Sequence, residues 1–193
     1  MLKIKRITNK KDSDWESLLR VYVSSFPYRE RREEDTLKDM ISADKALHIN
    51  SVKYGKENVG LLVYWDFNEF SYIEHFAIEE DFRNRGLGFK VISWIKNRQS
   101  PAILEVEPPE DEISGRRIAF YERNGFSVIS KYYLQPPYRK EESPFPLWLM
   151  GTPGIKKDAG EIISTLYNRV YNMDFRPSSK GHFYPNPEDK AWA

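Results

Sequence analysis

The residues that decide the fold are YIEHFAI at positions 72–78 and RNRGLG at positions 83–88. The first segment has the aromatic and β-branched residues of a strand. The second contains two glycines, and apolar residues recur at helical spacing from there to residue 98. A turn between a strand and a helix exposes successive backbone N–H groups where the helix dipole also favours an anion. The sequence therefore predicts a phosphate-binding turn, with a pyrophosphate as its natural ligand.

Two common phosphate-binding motifs do not fit this turn. A dinucleotide fingerprint requires a third small residue after the second glycine, and Val91 stands at that position. A Walker loop requires Gly-Lys followed by Ser or Thr, and residues 88–91 (GFKV) do not supply it. The turn is therefore of another class.

Outward from the turn, hydrophobic periodicity predicts a mixed α/β fold. Strands are predicted at 1–7, 46–54, 59–66, 70–78, 102–106, 126–134 and 146–150, and helices at 12–26, 32–42, 86–98, 114–123 and 155–171. Asp12 or Ser13 is expected to cap the first helix, and the pair Asn124 and Gly125 to end the fourth. We expect one domain at 1–153, with residues 154–193 as a C-terminal helix and proline-rich tail that pack on the same domain or extend it.

Composition excludes several classes of function. The 193 residues carry a net charge of +1, so no strong field recruits nucleic acid or an anionic membrane. The charge-dense stretch 29–35 mixes signs and is predicted to be a solvated helix face. Cysteine is absent, which rules out disulfides and thiolate nucleophiles, and three scattered histidines suggest no metal cluster. No apolar run approaches the roughly 20 residues of a membrane helix, and the N-terminus lacks a signal-peptide block, so we expect a cytoplasmic protein.

Two segments together resemble the GNAT acetyltransferase superfamily. Arg83, Gly86 and Gly88 match its acetyl-CoA signature, Arg/Gln-x-x-Gly-x-Gly/Ala, and residues 120–126 (FYERNGF) resemble its second motif, a helix that ends Tyr-Glu-x-x-Gly-Phe. The matching order of elements covers about residues 1–150. The resemblance implies a mostly antiparallel sheet flanked by helices, with two central parallel strands that splay apart, and acetyl-CoA as the cofactor.

The resemblance also implies roles for individual residues. Pantetheine would lie between the strands at 70–78 and 101–107, and the glycine turn would hold the pyrophosphate by its N–H groups. The cofactor-binding residues implied are Phe76, Ala77, Ile78, Arg83, Asn84, Arg85, Gly86, Leu87, Gly88 and Phe89. Tyr121 would protonate the departing thiolate, since a phenol with a pKa near 10 is a proton donor at neutral pH. The chain departs from the family at Ser114 and Arg117, where Asn and Ala are frequent.

Acetyl transfer to an amine by direct attack also requires a base, direct or through water. Alternation places Glu74 and His75 on opposite faces of their strand. Glu74 is the candidate base, because it is ionisable, central and just ahead of the implied cofactor contacts, whereas His75 is expected to be a packing residue. Glu105 and Glu107 on the neighbouring strand are rivals for the role of base, and Glu74 could instead be a paired structural carboxylate.

The acceptor site is expected to combine two loops, near residues 26–31 and 132–138. The candidate acceptor-binding residues are Phe26, Tyr28, Glu30, Tyr133 and Tyr138. They suit a small-molecule amine or an amine of a peptide or protein, in a monomer or a homodimer. Two alternatives stay open: a non-catalytic acyl-CoA sensor with the same fold, and an unrelated phosphate or nucleotide binder.

Overall fold

The computed structural model describes residues 1–98 and 100–173. The chain divides after Ala102 into two compact units. Each has its own antiparallel strands and its own helices. Among the described residues, no helix combines the length and the apolar character needed to cross a membrane.

The N-terminal unit is a four-stranded antiparallel sheet with helices packed on it. Its strands pair in the order β1-β2-β3-β4, α1 contacts β2, β3 and β4, and α3 contacts β1 and β4. The elements are β1 (Leu2–Arg6), α1 (Trp15–Ser25), a 3₁₀ turn (Tyr28–Glu30), α2 (Glu34–Met40), β2 (Leu47–Tyr54), β3 (Glu57–Asp66), β4 (Ser71–Ile78), a second 3₁₀ turn (Glu80–Phe82) and α3 (Leu87–Lys96). Fully buried aliphatic side chains such as Leu18, Leu61 and Val91 form the core that holds these layers together.

Neither Asp12 nor Ser13 is the N-cap of α1. The N-cap is Asp14, and its side chain makes no capping hydrogen bond. Its carboxylate instead binds Lys5 Nζ at 2.8 Å and Lys53 Nζ at 2.7 Å, and these bonds hold the pKa of Asp14 below its ordinary value. The prediction was wrong because α1 begins only at Trp15, and the Asp12 carboxylate accepts hydrogen bonds from Lys5 Nζ at 2.8 Å and from the Asp14 amide at 3.0 Å.

The C-terminal unit is a three-stranded antiparallel sheet with two helices. β5 (Ala102–Val106), which begins at the division, and β6 (Ser127–Gln135) both pair with β7 (Phe145–Gly151). α4 (Glu112–Arg123) begins at a capping box formed by Asp111 and Ser114, and α5 (Ala159–Arg169) begins at another and contacts β6. α4 ends as predicted, with Asn124 as the C-cap and Gly125 at a φ of +83°.

The predicted fold class is confirmed: the chain is a mixed α/β protein whose strands pair mainly in antiparallel fashion and are flanked by helices. Every predicted helix and strand has a counterpart with shifted ends. The largest change is at α5, which begins at Ala159 and not at 155, and α1 and α2 are each four residues shorter than predicted. Residues 174–193 of the predicted tail lie outside the described residues.

Candidate functional site

The glycine turn, defined here as residues 83–89, leads from β4 into α3. Gly86 is the N-cap of α3 and has φ +71° and ψ 8°, the left-handed conformation that an L side chain disfavours. Asn84 also has a positive φ, +60°, and asparagine is among the few non-glycine residues that tolerate it. The turn thus starts the helix without a side-chain cap.

The Arg83 amide donates to the carbonyl oxygen of Glu80 at 3.0 Å, but the backbone N–H groups of residues 84–89 have no acceptor in the described part of the chain. Gly86 provides no capping side chain, and the amides of residues 84–89 donate no hydrogen bond to any residue within 1–98 or 100–173. The first amides of a helix have no intrahelical acceptor, and the helix dipole adds partial positive charge to them. The turn is therefore built as an anion site.

Both arginines of the turn are exposed, and both donate hydrogen bonds to backbone carbonyls of the segment before it. Arg83 Nε donates to the carbonyl oxygen of Ile78 at 3.0 Å, and an Arg85 guanidinium nitrogen donates to the carbonyl oxygen of Asp81 at 2.7 Å. The Arg85 guanidinium also lies 4.9 Å from the ring centroid of Phe82. Each guanidinium has further N–H donors, so both can support the turn and face a phosphate.

A β-bulge interrupts β4 at Glu74. Val63 pairs with His75 and Tyr64 with Ile73, which leaves Glu74 as the extra residue on β4. The alternation predicted for this strand breaks here, because a bulge re-aims the side chain next to it. Glu74 and His75 consequently both reach the loop that follows α1.

The Glu74 carboxylate is completely buried and paired. Its Oε1 atom accepts hydrogen bonds from the Arg32 guanidinium at 2.9 Å, its Oε2 atom accepts one from Trp65 Nε1 at 2.7 Å, and the side chain is 0% exposed. The Arg32 side chain is only 11% exposed and that of Arg31 12%, so the prediction of a solvated face at 29–35 was wrong at these residues. Local charge patterning could not reveal a partner that lies 42 positions along the chain.

His75 is a buried packing residue, as expected. Its ring lies edge-on to Tyr22 at 4.9 Å and to Phe26 at 4.7 Å between centroids. Its Nε2 atom lies 2.9 Å from the carbonyl oxygen of Glu30, which assigns the N–H to that nitrogen. Burial lowers the pKa of His75, so the ring is neutral.

The other N-terminal candidates lie on or beside the same loop. The Tyr28 ring is 55% exposed and its hydroxyl donates to the Glu33 carboxylate at 2.5 Å, while the Arg31 guanidinium lies 5.6 Å from the ring centroid. Phe26 and Glu30 contact His75 as described above. Phe26 and the Glu30 carbonyl therefore contact β4 through His75, whereas Tyr28 lies on the same loop with Arg31 and Glu33 as its neighbours.

In the C-terminal unit, Tyr121 lies near the end of α4. Its ring packs edge-on against Phe120 and Phe126, and its hydroxyl donates to no residue of the described chain. Burial raises the pKa of Tyr121 to about 12, and the charge of Arg117 opposes this shift. The phenol is therefore protonated throughout the neutral range.

The two residues that depart from the family pattern have local partners. The Ser114 hydroxyl and amide close the capping box with Asp111, and the Asp111 oxygen lies 2.7 Å from each. The Arg117 guanidinium pairs with Glu107. Glu107, a rival candidate base, is thus an exposed ion-pair partner at the start of the segment before α4.

Glu105, the other rival, belongs to a polar and aromatic cluster that sequence reasoning missed. The Tyr171 hydroxyl lies 3.3 Å and 3.5 Å from the two carboxylate oxygens of Glu105 and accepts a hydrogen bond from Gln135 Nε2 at 2.7 Å. Burial and the charge of Glu105 raise the pKa of Tyr133 well above its ordinary value, and the Tyr138 ring lies 5.5 Å from that of Tyr171. Tyr133 packs edge-on against Tyr167 of α5, and Tyr138 packs on Tyr171 just after that helix, whose pattern in the sequence indicated only an amphipathic helix.

No group of three or more His, Cys, Asp or Glu side chains within residues 1–98 and 100–173 is arranged to hold a metal ion.

A model of the acetyltransferase (GNAT) family matches residues 15–126, a span that contains the glycine turn and Tyr121.

The chain belongs to the acetyltransferase (GNAT) family.

A solved structure of a candidate GNAT acetyltransferase from Bacteroides thetaiotaomicron is 33% identical, covers 89% of this chain and 99% of its own, and superposes with a TM-score of 0.84. The candidate acetyltransferase YjbC of Bacillus subtilis is 34% identical over 74 residues, which are 37% of this chain. The match spans only 38% of the length of that curated relative.

The GNAT fold extends to a more distant structure. A GNAT acetyltransferase of Elizabethkingia anophelis, solved with acetyl-CoA bound, is 17% identical, covers 78% of this chain and 97% of its own, and has a TM-score of 0.51. That likeness concerns the fold, and the bound acetyl-CoA is a property of the relative.

Proposed function

We propose that this protein is an acetyl-CoA-dependent N-acetyltransferase that moves an acetyl group to a primary amine. The observation that carries the proposal is the row of N–H groups at residues 84–89, which spans the start of α3 around the left-handed Gly86 and has no acceptor within the described residues. Such a row binds a pyrophosphate without specialised side chains. Family membership makes the 3′-phospho-ADP end of CoA the natural source of that pyrophosphate.

The residues of the turn and of β4 fit this cofactor. In the proposal the amides of residues 84–89 hold the pyrophosphate, with Arg83 and Arg85 beside it, and the backbone of Phe76, Ala77 and Ile78 pairs with pantetheine in the manner of an added strand. The Ile78 carbonyl already accepts a bond from Arg83. A carbonyl oxygen has a second lone pair, so this bond does not exclude a ligand.

Tyr121 is the proposed general acid. Attack of a neutral amine on the thioester forms a C–N bond and breaks the C–S bond, and the departing thiolate takes a proton from the phenol. A pKa of about 12 keeps that proton on Tyr121 at neutral pH. Acid catalysis of this kind contributes about 10²- to 10⁴-fold to the rate.

Glu74, the candidate base, is fully buried, and both of its carboxylate oxygens accept hydrogen bonds, one from Arg32 and the other from Trp65. Glu105 lies beside three tyrosines and Glu107 pairs with Arg117. We propose that Tyr121 acts with Glu105 or Glu107, or with water held by either of them.

The acceptor is proposed to be a small-molecule amine or an amine of a peptide or protein. In the N-terminal unit, Phe26, Tyr28 and Glu30 supply aromatic surface and negative charge, which suit a cationic amine. In the C-terminal unit, Tyr138 is partly exposed and supplies the same kind of surface, whereas Tyr133 is 1% exposed and supplies none.

The test is turnover of acetyl-CoA, followed as release of free CoA thiol, with a panel of amines and peptides. The proposal predicts acceptor-dependent release. Tight CoA binding without release on any acceptor would favour the non-catalytic sensor instead. Calorimetric titration with CoA, ATP and NAD completes the test, because an unrelated nucleotide binder would bind ATP or NAD more tightly than CoA.

A further inference from the structure

Hydrogen bonds and an ion pair link the loop between α1 and α2, residues 27–33, to the β4 bulge. The proposed chemistry does not use the side chains that form these links. His75 Nε2 contacts the carbonyl oxygen of Glu30 at 2.9 Å, and the Arg32 guanidinium contacts Glu74 Oε1 at 2.9 Å. A third tie comes from α1, where the Tyr22 hydroxyl accepts a hydrogen bond from the backbone amide of Arg32 at 2.8 Å. These ties fix two points of the loop, residues 30 and 32.

Glu74 is at the centre of this arrangement. Both of its carboxylate oxygens accept hydrogen bonds, one from Arg32 and the other from Trp65, and the side chain has no exposed surface. A buried carboxylate is tolerated when it is paired and hydrogen-bonded in this way. With no exposed surface, the carboxylate is not in direct reach of a substrate proton.

The bulge is what allows a single strand to hold the loop at two points. In a regular strand, neighbouring side chains point to opposite faces. The extra residue at position 74 re-aims the chain, so that Glu74 binds residue 32 while His75 binds residue 30. The loop held in this way presents Tyr28 and Glu30, which are the proposed acceptor-binding residues of this unit.

We propose that Glu74 and Arg32 are positioning residues that hold the 27–33 loop in its acceptor-binding geometry, and that Glu74 does not exchange a proton with the substrate. This inference rests on the proposed function, because it assigns the loop to the acceptor. Affinity for the acceptor therefore depends on the pair of Glu74 and Arg32, whereas the chemical step does not depend on this pair.

The experiment measures kcat and both KM values for the full-length protein. Glu74→Gln keeps the size of the side chain and an oxygen for Trp65 but removes the charge that binds Arg32. We expect the acceptor KM to rise about tenfold while kcat and the acetyl-CoA KM change less than about threefold, the pattern of lost uniform binding. Arg32→Gln should have the same effect, and the double variant should be no worse than either single variant, because one interaction is lost in all three.

A base role for Glu74 predicts a different pattern. Glu74→Gln would then lower kcat by about 100-fold or more and remove the acidic limb of the pH–rate profile, while Arg32→Gln would leave kcat largely intact. That result would overturn the proposal. Asp14→Asn is the matched control, since it removes another buried carboxylate with cationic partners in the same unit, and it should reduce stability without changing the acceptor KM.

Hydrogen exchange of the amides of residues 28–33 tests the inference if no amine is turned over, or if Glu74→Gln folds poorly. Faster exchange in this loop in Arg32→Gln than in Asp14→Asn supports the proposed tie, and unchanged exchange overturns it. Failure of the proposed function would instead appear in the wild-type protein, as an absence of turnover with every acceptor.

Discussion

Replacement of Gly86 by alanine tests the glycine turn most directly. Gly86 has a φ of +71°, and a Cβ built there would meet no atom within 4 Å. The substitution therefore adds no collision, and its whole cost is the strain of a left-handed L residue, about 1 to 2 kcal/mol.

That strain can lower the free energy of unfolding, the binding free energy of acetyl-CoA, or both. If the turn keeps its geometry, the free energy of unfolding falls by the full 1 to 2 kcal/mol or so and the acetyl-CoA affinity is unchanged. If the turn relaxes, part of the strain is relieved in the free protein, but the native turn must be restored when the pyrophosphate binds. The loss of stability and the loss of binding free energy should therefore sum to about 1 to 2 kcal/mol. Since the turn is exposed, we expect relaxation, with a Kd about three- to tenfold weaker.

Gly55→Ala is the matched control. Gly55 has a φ of +65°, has no atom within 4 Å of a built Cβ, and lies in the turn between β2 and β3. It should cost a similar amount of stability and leave the Kd unchanged. Gly86→Asn should lie between wild type and Gly86→Ala in both properties, because asparagine tolerates positive φ.

The assays are urea unfolding and calorimetric titration with CoA and acetyl-CoA. A Gly86→Ala protein with wild-type stability and wild-type affinity would refute the strain argument. Equal weakening of binding by Gly55→Ala and Gly86→Ala would show that the turn has no particular part in holding the pyrophosphate.

Three further predictions concern other parts of the chain. Tyr121→Phe should lower kcat by about 100-fold or more and leave the acetyl-CoA Kd unchanged in the same titration; equal turnover would remove the acid role. Gly60→Ala should lower the free energy of unfolding in urea by about 1 to 3 kcal/mol, because its Cβ would lie 2.4 Å from the Ala77 carbonyl oxygen on β4; wild-type stability would contradict this. Burial, assisted by the charges of Arg6 and Arg98, lowers the pKa of His48 to about 4, so its contribution to stability is present above pH 6.5 and is lost as the pH falls towards 4. The half-exposed ring limits this effect to about 1 kcal/mol, and the stability of His48→Gln measured across this range should fall less than that of the wild type.

Local sequence determined the functional motifs of this protein. Two features depend on residues that are close together in the chain: the glycine turn between a strand and a helix, and the helix end at Asn124 and Gly125. They can be predicted because positive φ and helix ends select particular residue types. The periodicity of apolar residues similarly located every helix and strand in the described chain, since each element must bury one face.

The partners of the charged side chains were decided by tertiary structure alone. The sequence predicted a solvated stretch at 29–35, whereas Arg32 is buried against Glu74. It predicted a local cap at Asp12 or Ser13, whereas Asp14 binds lysines on β1 and β2. The alternation of residues in β4 did not predict the bulge at Glu74. Pairing of this kind depends on which strands and loops are brought together, and the residues that meet are tens of positions apart, beyond the range over which sequence periodicity carries information.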